Sequence, residues 1–152
     1  MRCLAGRISC SSCIPHSDPI MSRSSAYETF PKPILSSRNG FDFHVYFMPS
    51  NPVHVEHARE LHGRISREFP ELPIYRIWDR PIGPHPTGMF EVQTTNPHQT
   101  GALFSWLVVN RGPLDVFVHP NTDNPYRDHV ELATWMGNSW PLNLEILKVH
   151  ET

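Results

Sequence analysis

Apolar and polar residues alternate along the stretch FDFHVYF, which spans residues 41–47. A period of two places successive side chains on opposite faces of an extended chain, so this stretch predicts a β-strand. One face of the strand is strongly apolar and consists of Phe41, Phe43, Val45 and Phe47. Burial of that face against another layer would leave the opposite, polar face for a different role.

The stretch that follows, SNPVHVEHARELHGRISREF, changes to the period of a helix. Ser50 or Asn51 can cap its first turn, and Pro52 falls where a helix tolerates proline. Apolar residues recur at helical spacing at Ala58, Leu61, Ile65 and Phe69. The pattern therefore predicts an amphipathic helix.

The same reasoning extends along the rest of the chain. It predicts strands at residues 73–79, 89–95 and 114–120, and a second helix between Asn96-Pro97 and Gly112-Pro113. The order strand, helix, strand, strand, helix, strand is typical of the ferredoxin-like split βαβ sandwich, an α+β fold with two helices on one face of an antiparallel sheet. We expect the first and third strands to be central and the fourth to lie beside the first.

A C-terminal extension follows the fourth strand. The pattern predicts a short helix at residues 128–136, ending at Gly137, and a further strand at residues 142–147. Elements beyond the six of the basic fold have to cover some part of it. We expect them to lie over the face of the sheet that the helices leave open.

Strand parity predicts which side chains lie on that open face. His44 of the first strand and His119 of the fourth point to it, and parity extended back through the turn before the third strand adds His85. Taken singly, each of these histidines is more often an ordinary strand or turn residue than a ligand. Three imidazoles on one face, with Glu91 beside them, form a group suited to a borderline divalent metal.

Composition narrows the classes of function. The chain has 152 residues and a formal charge of −2, from 13 basic and 15 acidic residues, so it has no basic surface for nucleic acid and no polybasic segment for a membrane. No apolar run approaches the length needed to span a bilayer. We expect one domain at residues 39–152, a cytoplasmic location and small-molecule or protein partners.

The first 38 residues differ from the rest. They are rich in serine and proline and show little apolar periodicity, so we expect residues 1–38 to form a disordered leader. All three cysteines lie there, and the stretch CSSCIPH has the spacing of metal ligands but lacks the second ligand pair that a structural zinc site needs. Met21 is an alternative start of the protein.

Four stretches together resemble the DOPA 4,5-dioxygenase family. They are FDFHVYF, GPHPTGMFEV, VFVHPNTDNPYRDH and WMG, and the resemblance covers about residues 41–148. The long leader departs from the family pattern, as does Met136 where a branched aliphatic residue is expected, and neither touches the candidate site. The resemblance implies a ferredoxin-like fold and, for the pigment-forming members, extradiol opening of a catechol ring with O2.

The resemblance also implies a role for each candidate residue. A non-haem ferrous ion would be held by three ligands, His44, His85 and His119, with Glu91 able to replace one of them and His129 able to exchange roles with His85. His129 would act as acid and base, and Tyr46 would hydrogen-bond the substrate. Arg76 would pair with the carboxylate of DOPA or a related catechol.

Two other functions fit the same residues. The first is a binding protein without turnover, a ferredoxin-like domain whose open face takes a small ligand or forms a homodimer. The second is a metal enzyme with a different substrate. The metal content of the protein and its reaction with a catechol in air would separate these alternatives.

Overall fold

A computed structural model describes residues 22–150, with side chains up to residue 148. Its helices and strands are β1 (Phe41–Phe47), α1 (Pro52–Glu68), β2 (Gly88–Thr94), α2 (Pro97–Asn110), β3 (Asp115–Pro120), α3 (Pro125–Val130) and β4 (Thr134–Met136). Short 3-10 helices cover Ser25–Tyr27, Ser36–Arg38 and Leu144–His150. Within this part of the chain, no helix has the length and apolar character needed to cross a membrane.

The four strands form one antiparallel sheet in the order β2-β1-β3-β4. The predicted α+β class is confirmed, and the predicted fourth strand, now β3, lies beside β1. Of the two candidate caps of α1, the structure uses Asn51, and the side chain of Asn96 caps α2; each is followed by a proline in the first turn.

The apolar face of the sheet packs against the two long helices. Its fully buried residues include Phe43 and Val45 of β1, which pack in one cluster with Leu61 of α1 and Leu107 of α2. The face expected from strand parity is therefore the one that the helices cover. This leaves the polar face of β1 on the other side of the sheet.

The strand predicted at residues 73–79 is not a regular strand. This segment follows the outer edge of β2 but pairs with it only at isolated bridges, Ile74 with Val92 and Trp78 with Met89. Between the two bridges the segment advances by four residues, from Ile74 to Trp78, whereas β2 spans only three, from Val92 to Met89. The segment therefore carries one extra residue, as a β-bulge does. The bulge breaks the ladder between the two bridges.

The C-terminal extension differs from the prediction in both of its elements. The predicted helix at 128–136 is instead α3 followed by β4, because Asn124 caps a helix that begins at Pro125. The predicted strand at 142–147 does not form; residues 144–147 lie in the 3-10 helix Leu144–His150. The edge of β3 is paired with β4 instead.

The segment before β1 contacts the domain. The ring of Phe30 lies 5.5 Å from that of Phe41, and the Leu35 amide donates to the Asn121 carbonyl at 2.9 Å. Gly40 has a φ of 58° and lies where a Cβ would collide with the Phe30 ring, so glycine is required there. The leader boundary at residue 38 stays a prediction, and the cysteine stretch lies outside the described residues.

Candidate metal centre and active site

The polar face of the sheet is buried beneath the C-terminal extension. Tyr46, Met89 and Phe117 form a second apolar cluster there, separate from the core under the helices. Trp135 and Trp140 of the extension pack against it. The extension therefore covers the open face, as predicted, and encloses the histidines that lie on it.

Four imidazoles surround the ring of Phe117, which is fully buried. Their ring centroids lie between 5.4 and 6.3 Å from that of Phe117; the four are His44, His85, His119 and His129. The His44 and His85 rings are 4.1 Å apart, and so are the His119 and His129 rings. The structure thus brings together all four histidines of the candidate site.

The closest pair of ring nitrogens joins two neighbouring strands. Nε2 of His44 on β1 lies 3.1 Å from Nε2 of His119 on β3. Nδ1 of His119 lies 2.9 Å from the Pro120 carbonyl, which can only accept, so this nitrogen carries the proton and Nε2 carries the lone pair. A protein histidine that binds a metal characteristically makes this hydrogen bond through its other nitrogen.

His129 is held in the same way by its own helix. It lies on α3, where its Nδ1 donates to the Pro125 carbonyl at 2.8 Å. Its Nε2 therefore carries a lone pair, next to His119. Asp128, which is buried beside it, accepts hydrogen bonds from the Thr122 amide and hydroxyl and thereby ties α3 to the end of β3.

His85 comes from the turn before β2 and pairs with a tyrosine. Its Nδ1 lies 2.5 Å from the Tyr46 hydroxyl. Both side chains are almost fully buried, at 6% and 1% exposure. The sequence argument placed both residues on this face, and the structure adds that they form a hydrogen-bonded pair.

Asp42 is the site residue that the sequence argument missed as a ligand. One atom each from Asp42, His44 and His119 all lie within 4.8 Å of one another, the spacing of a metal site, and His85 is not part of that group. Oδ1 of Asp42 is buried without a hydrogen-bond partner among the described residues. The available signal was its position two residues before His44, which puts both side chains on one face of β1.

Burial keeps the imidazoles neutral. Desolvation lowers the pKa of His85 to about 3 and that of His119 to about 3, and in both cases the neighbouring His129 lowers it further. The pKa of His44 is lowered well below its usual value, first by burial and then by the other imidazoles, and burial also lowers the pKa of His129. Neutral imidazoles have the free lone pairs that a metal needs.

The carboxyl groups of this face shift in the opposite direction. Burial raises the pKa of Asp42 to about 7, with repulsion from Glu91 as the next cause. Burial also raises the pKa of Glu91. It is costly to desolvate two neighbouring carboxyl groups, and a bound cation would remove much of that cost.

The donor set fits a divalent metal of intermediate hardness. Metal–imidazole bonds of about 2.1 Å in a cis arrangement would separate two ligand nitrogens by about 3 Å, which matches the 3.1 Å between His44 and His119. Two imidazoles and one carboxylate are the ligands of the facial triad that holds ferrous iron in oxygenases. Oδ1 of Asp42, which is buried and has no hydrogen-bond partner among the described residues, could supply the third donor of such a set.

Arg76 lies away from the four imidazoles. Its guanidinium stacks on the Trp78 ring at 3.5 Å, and Trp78 in turn packs against the cluster of Tyr46, Met89 and Phe117. Arg76 also lines a surface pocket of about 420 Å³ whose other residues are Arg59, Ile77, Trp78, Asp79 and Arg80. The structure therefore places it at the edge of the sheet, with one tryptophan between it and the enclosed face.

Known proteins resemble this chain in sequence and in fold. The sequence model of the Dopa 4,5-dioxygenase family matches residues 41–146. An "Uncharacterized 21.2 kDa protein" of Botryotinia fuckeliana is 49% identical over 134 residues, which are 83% of this chain and 73% of that protein. The DOPA 4,5-dioxygenase of Amanita muscaria is 39% identical over 113 residues, 70% of this chain but only 49% of that protein.

A solved structure supports the same relationship. The crystal structure of a "putative dioxygenase" from Nostoc punctiforme superimposes with a TM-score of 0.67 at 36% sequence identity. The match covers 73% of this chain and 92% of that protein. The shared fold thus comprises nearly the whole of the bacterial protein.

Proposed function

The chain belongs to the Dopa 4,5-dioxygenase family, and on that premise we propose that it opens the ring of DOPA or a related catechol by the extradiol route, with O2 as co-substrate and ferrous iron as the metal. Membership of the family makes the protein a dioxygenase, an oxidoreductase. The route, the metal and the catechol are our proposal. Its main support is the pair of facing Nε2 atoms of His44 and His119 beside the carboxyl group of Asp42, whose Oδ1 has no hydrogen-bond partner among the described residues.

His44 and His119 are common to both candidate ligand sets. The sequence argument adds His85 as the third ligand, whereas the distances favour Asp42. His85 is also engaged with the Tyr46 hydroxyl at 2.5 Å. We therefore propose Asp42 as the third donor, with His85 left for the substrate, and the variants described in the Discussion distinguish the two sets.

Ferrous iron held by His44, His119 and Asp42 would supply the Lewis-acid and redox chemistry that activates O2 towards a catechol. The protein supplies the proton transfers. His129 is neutral because burial lowers its pKa, and its Nε2 carries a lone pair, so it can take the proton of a catechol hydroxyl and return it later. The backbone hydrogen bond to Pro125 keeps that nitrogen aimed at the site.

Tyr46 and His85 would orient the substrate. Burial raises the pKa of Tyr46, so its hydroxyl stays protonated and can donate a hydrogen bond. Phe117, Trp135 and Trp140 exclude water around them and offer flat surfaces to a planar ring. Arg76 would reach the carboxylate of a substrate whose side chain extends past Trp78.

The predicted homodimer also remains a proposal. α2 carries no acidic, lysine or arginine side chain, and it exposes Phe104, Val108 and Val109 to solvent. An uncharged, partly apolar helix face is a surface that a second subunit can cover. Measurement of the mass in solution would test it.

The experiment is anaerobic reconstitution followed by exposure to a catechol and air. We expect one ferrous ion per chain, one O2 consumed per catechol and a yellow ring-opened product, with the zinc-loaded protein as an inactive control. A protein that binds iron but turns over no catechol would favour a metal enzyme with another substrate. A protein that binds no divalent metal would favour the binding-protein alternative.

A further inference from the structure

Among the described residues, one fully buried imidazole nitrogen has no hydrogen-bond partner. Nδ1 of His44 is buried, and no described residue lies within hydrogen-bond distance of it. Oε2 of Glu91 lies 3.8 Å from it. A buried imidazole nitrogen left unpaired is unusual, because its desolvation is not offset.

The other nitrogen of His44 determines what Nδ1 must be. Nε2 faces Nε2 of His119, so a metal between the two strands takes the lone pairs of both Nε2 atoms. A neutral imidazole has a single N–H, and with Nε2 bound to metal that N–H must be on Nδ1. His44 would then direct a proton at Glu91, from the ring edge opposite to the metal.

Glu91 is built into the sheet as the partner of His44. The two residues lie directly opposite each other in the β1–β2 register. Gln93 donates to Oε1 of Glu91 at 2.6 Å, and its own oxygen accepts from the Tyr75 hydroxyl at 3.0 Å. These hydrogen bonds engage Oε1 of Glu91, so Oε2 can accept a hydrogen bond from the Nδ1–H of His44.

We propose that Glu91 is a positioning residue that accepts a hydrogen bond from the Nδ1–H of His44 and so fixes the imidazole with Nε2 towards the metal. This inference rests on the proposed metal site and deepens it. It assigns Glu91 a place outside the coordination sphere, not the ligand position that the sequence left open for it. Carboxylate partners of this kind strengthen a histidine ligand by holding its tautomer and ring orientation.

The test compares three variants by their affinity for Zn(II) alone, measured in competition with a chromophoric chelator. Glu91→Ala should weaken Zn(II) binding by about 10- to 100-fold, the usual loss when the partner of a metal-bound histidine is removed. Glu91→Gln should recover part of the loss, because an amide oxygen still accepts a hydrogen bond from Nδ1–H. Glu131→Ala removes an exposed acid of the covering segment and should bind Zn(II) like the wild type.

Nuclear magnetic resonance of ¹⁵N-labelled histidine in the Zn(II) form provides the second readout. We expect the Nδ1–H tautomer for His44 in the wild type and in Glu91→Gln. Wild-type affinity in Glu91→Ala, or metal on Nδ1 with the proton on Nε2, would overturn the proposal. A wild type that binds no Zn(II) would instead overturn the metal site itself, so the two failures are distinct. If Glu91→Ala does not fold, Glu91→Gln and the tautomer still decide the matter.

Discussion

His44 and His119 are 75 positions apart in the chain, yet their Nε2 atoms lie 3.1 Å from each other across two paired strands. They are diagonal neighbours, because His44 is opposite Phe117 and His119 is opposite Asp42. The sheet register alone therefore brings two imidazoles and one carboxyl group to one point. Each of the following predictions depends on that arrangement or on what surrounds it.

Substitutions of the two histidines of the HPNTDNPYRDH stretch should differ in outcome. His119→Ala should lose both iron and activity, because a ligand is removed. His129→Ala should keep most of the iron but lower turnover by about 10²- to 10⁴-fold and change the pH profile, as expected for an acid–base group. Iron content and ring-opening rate are the measurements. If His129→Ala is metal-free while His119→Ala keeps its iron, His129 is the ligand and His119 the acid–base group. If both variants are fully active, neither histidine has either role.

The third donor can be identified by stoichiometry. Asp42→Ala should reduce bound iron well below one ion per chain, since it removes the carboxylate that lies within 4.8 Å of ligand atoms of His44 and His119. His85→Phe should retain iron and lose turnover, because the Tyr46 hydroxyl loses its partner. If His85→Phe is metal-free while Asp42→Ala is loaded, the three-histidine set is the correct one.

The metal-free protein should lose stability as the pH falls from 7 to 5. The pKa values of His85 and His119 are lower in the folded state, so the unfolded chain binds more protons below pH 6.5. Acidification therefore favours unfolding. Each such imidazole should lower the free energy of unfolding by about 2 kcal/mol between pH 6.5 and 5. Asp42 opposes this loss, because its raised pKa makes the folded state bind the extra proton between about pH 4 and 7.

Thermal or denaturant unfolding at a series of pH values would measure this balance. The variant Asp42→Asn is the matched control, since it removes the opposing carboxyl group and should make the loss on acidification steeper. Stability that stays constant or rises between pH 7 and pH 5 would show that the imidazoles are not kept neutral by burial.

Arg76→Ala should separate substrates by their side chains. A catechol that carries a carboxylate should lose about 1.5–3 kcal/mol of binding, the usual worth of a hydrogen bond to a charged group, while unsubstituted catechol should be unaffected. Steady-state kinetics with both substrates gives the ratio. Equal losses for the two would mean that Arg76 acts only through its contact with Trp78.

Truncation should have different effects at two positions. Removal of residues 1–21 should leave stability and activity unchanged, since the family match begins at residue 41. Removal of residues 1–38 should cost about 1–3 kcal/mol, because it deletes the Phe30–Phe41 packing and the Leu35 hydrogen bond to Asn121, close to His119. Equal stability of both truncated proteins would show that this segment contributes nothing.

The sequence alone was sufficient to predict those features of the fold that depend on local rules. Helix caps at Asn51 and Asn96 and the parity of β1 depend on neighbouring residues only. The bulged edge beside β2 and the 3-10 helix at Leu144–His150 depend on which strand edges remain free, and this is a property of the assembled sheet. Asp42 was placed on the correct face, but its proximity to His119 needed the β1–β3 register, which no local pattern specifies.

The β1–β3 register also makes metal binding a test of correct folding. If β1 slipped by one residue against β3, its side chains would exchange faces, and His44 would point into the helix layer while Phe43 pointed at His119. Such a chain would still be compact but would have no place for an ion. The fraction of molecules that retain metal would therefore measure the fraction with the correct β1–β3 register. Addition of a chelator would distinguish these molecules from those with a shifted register.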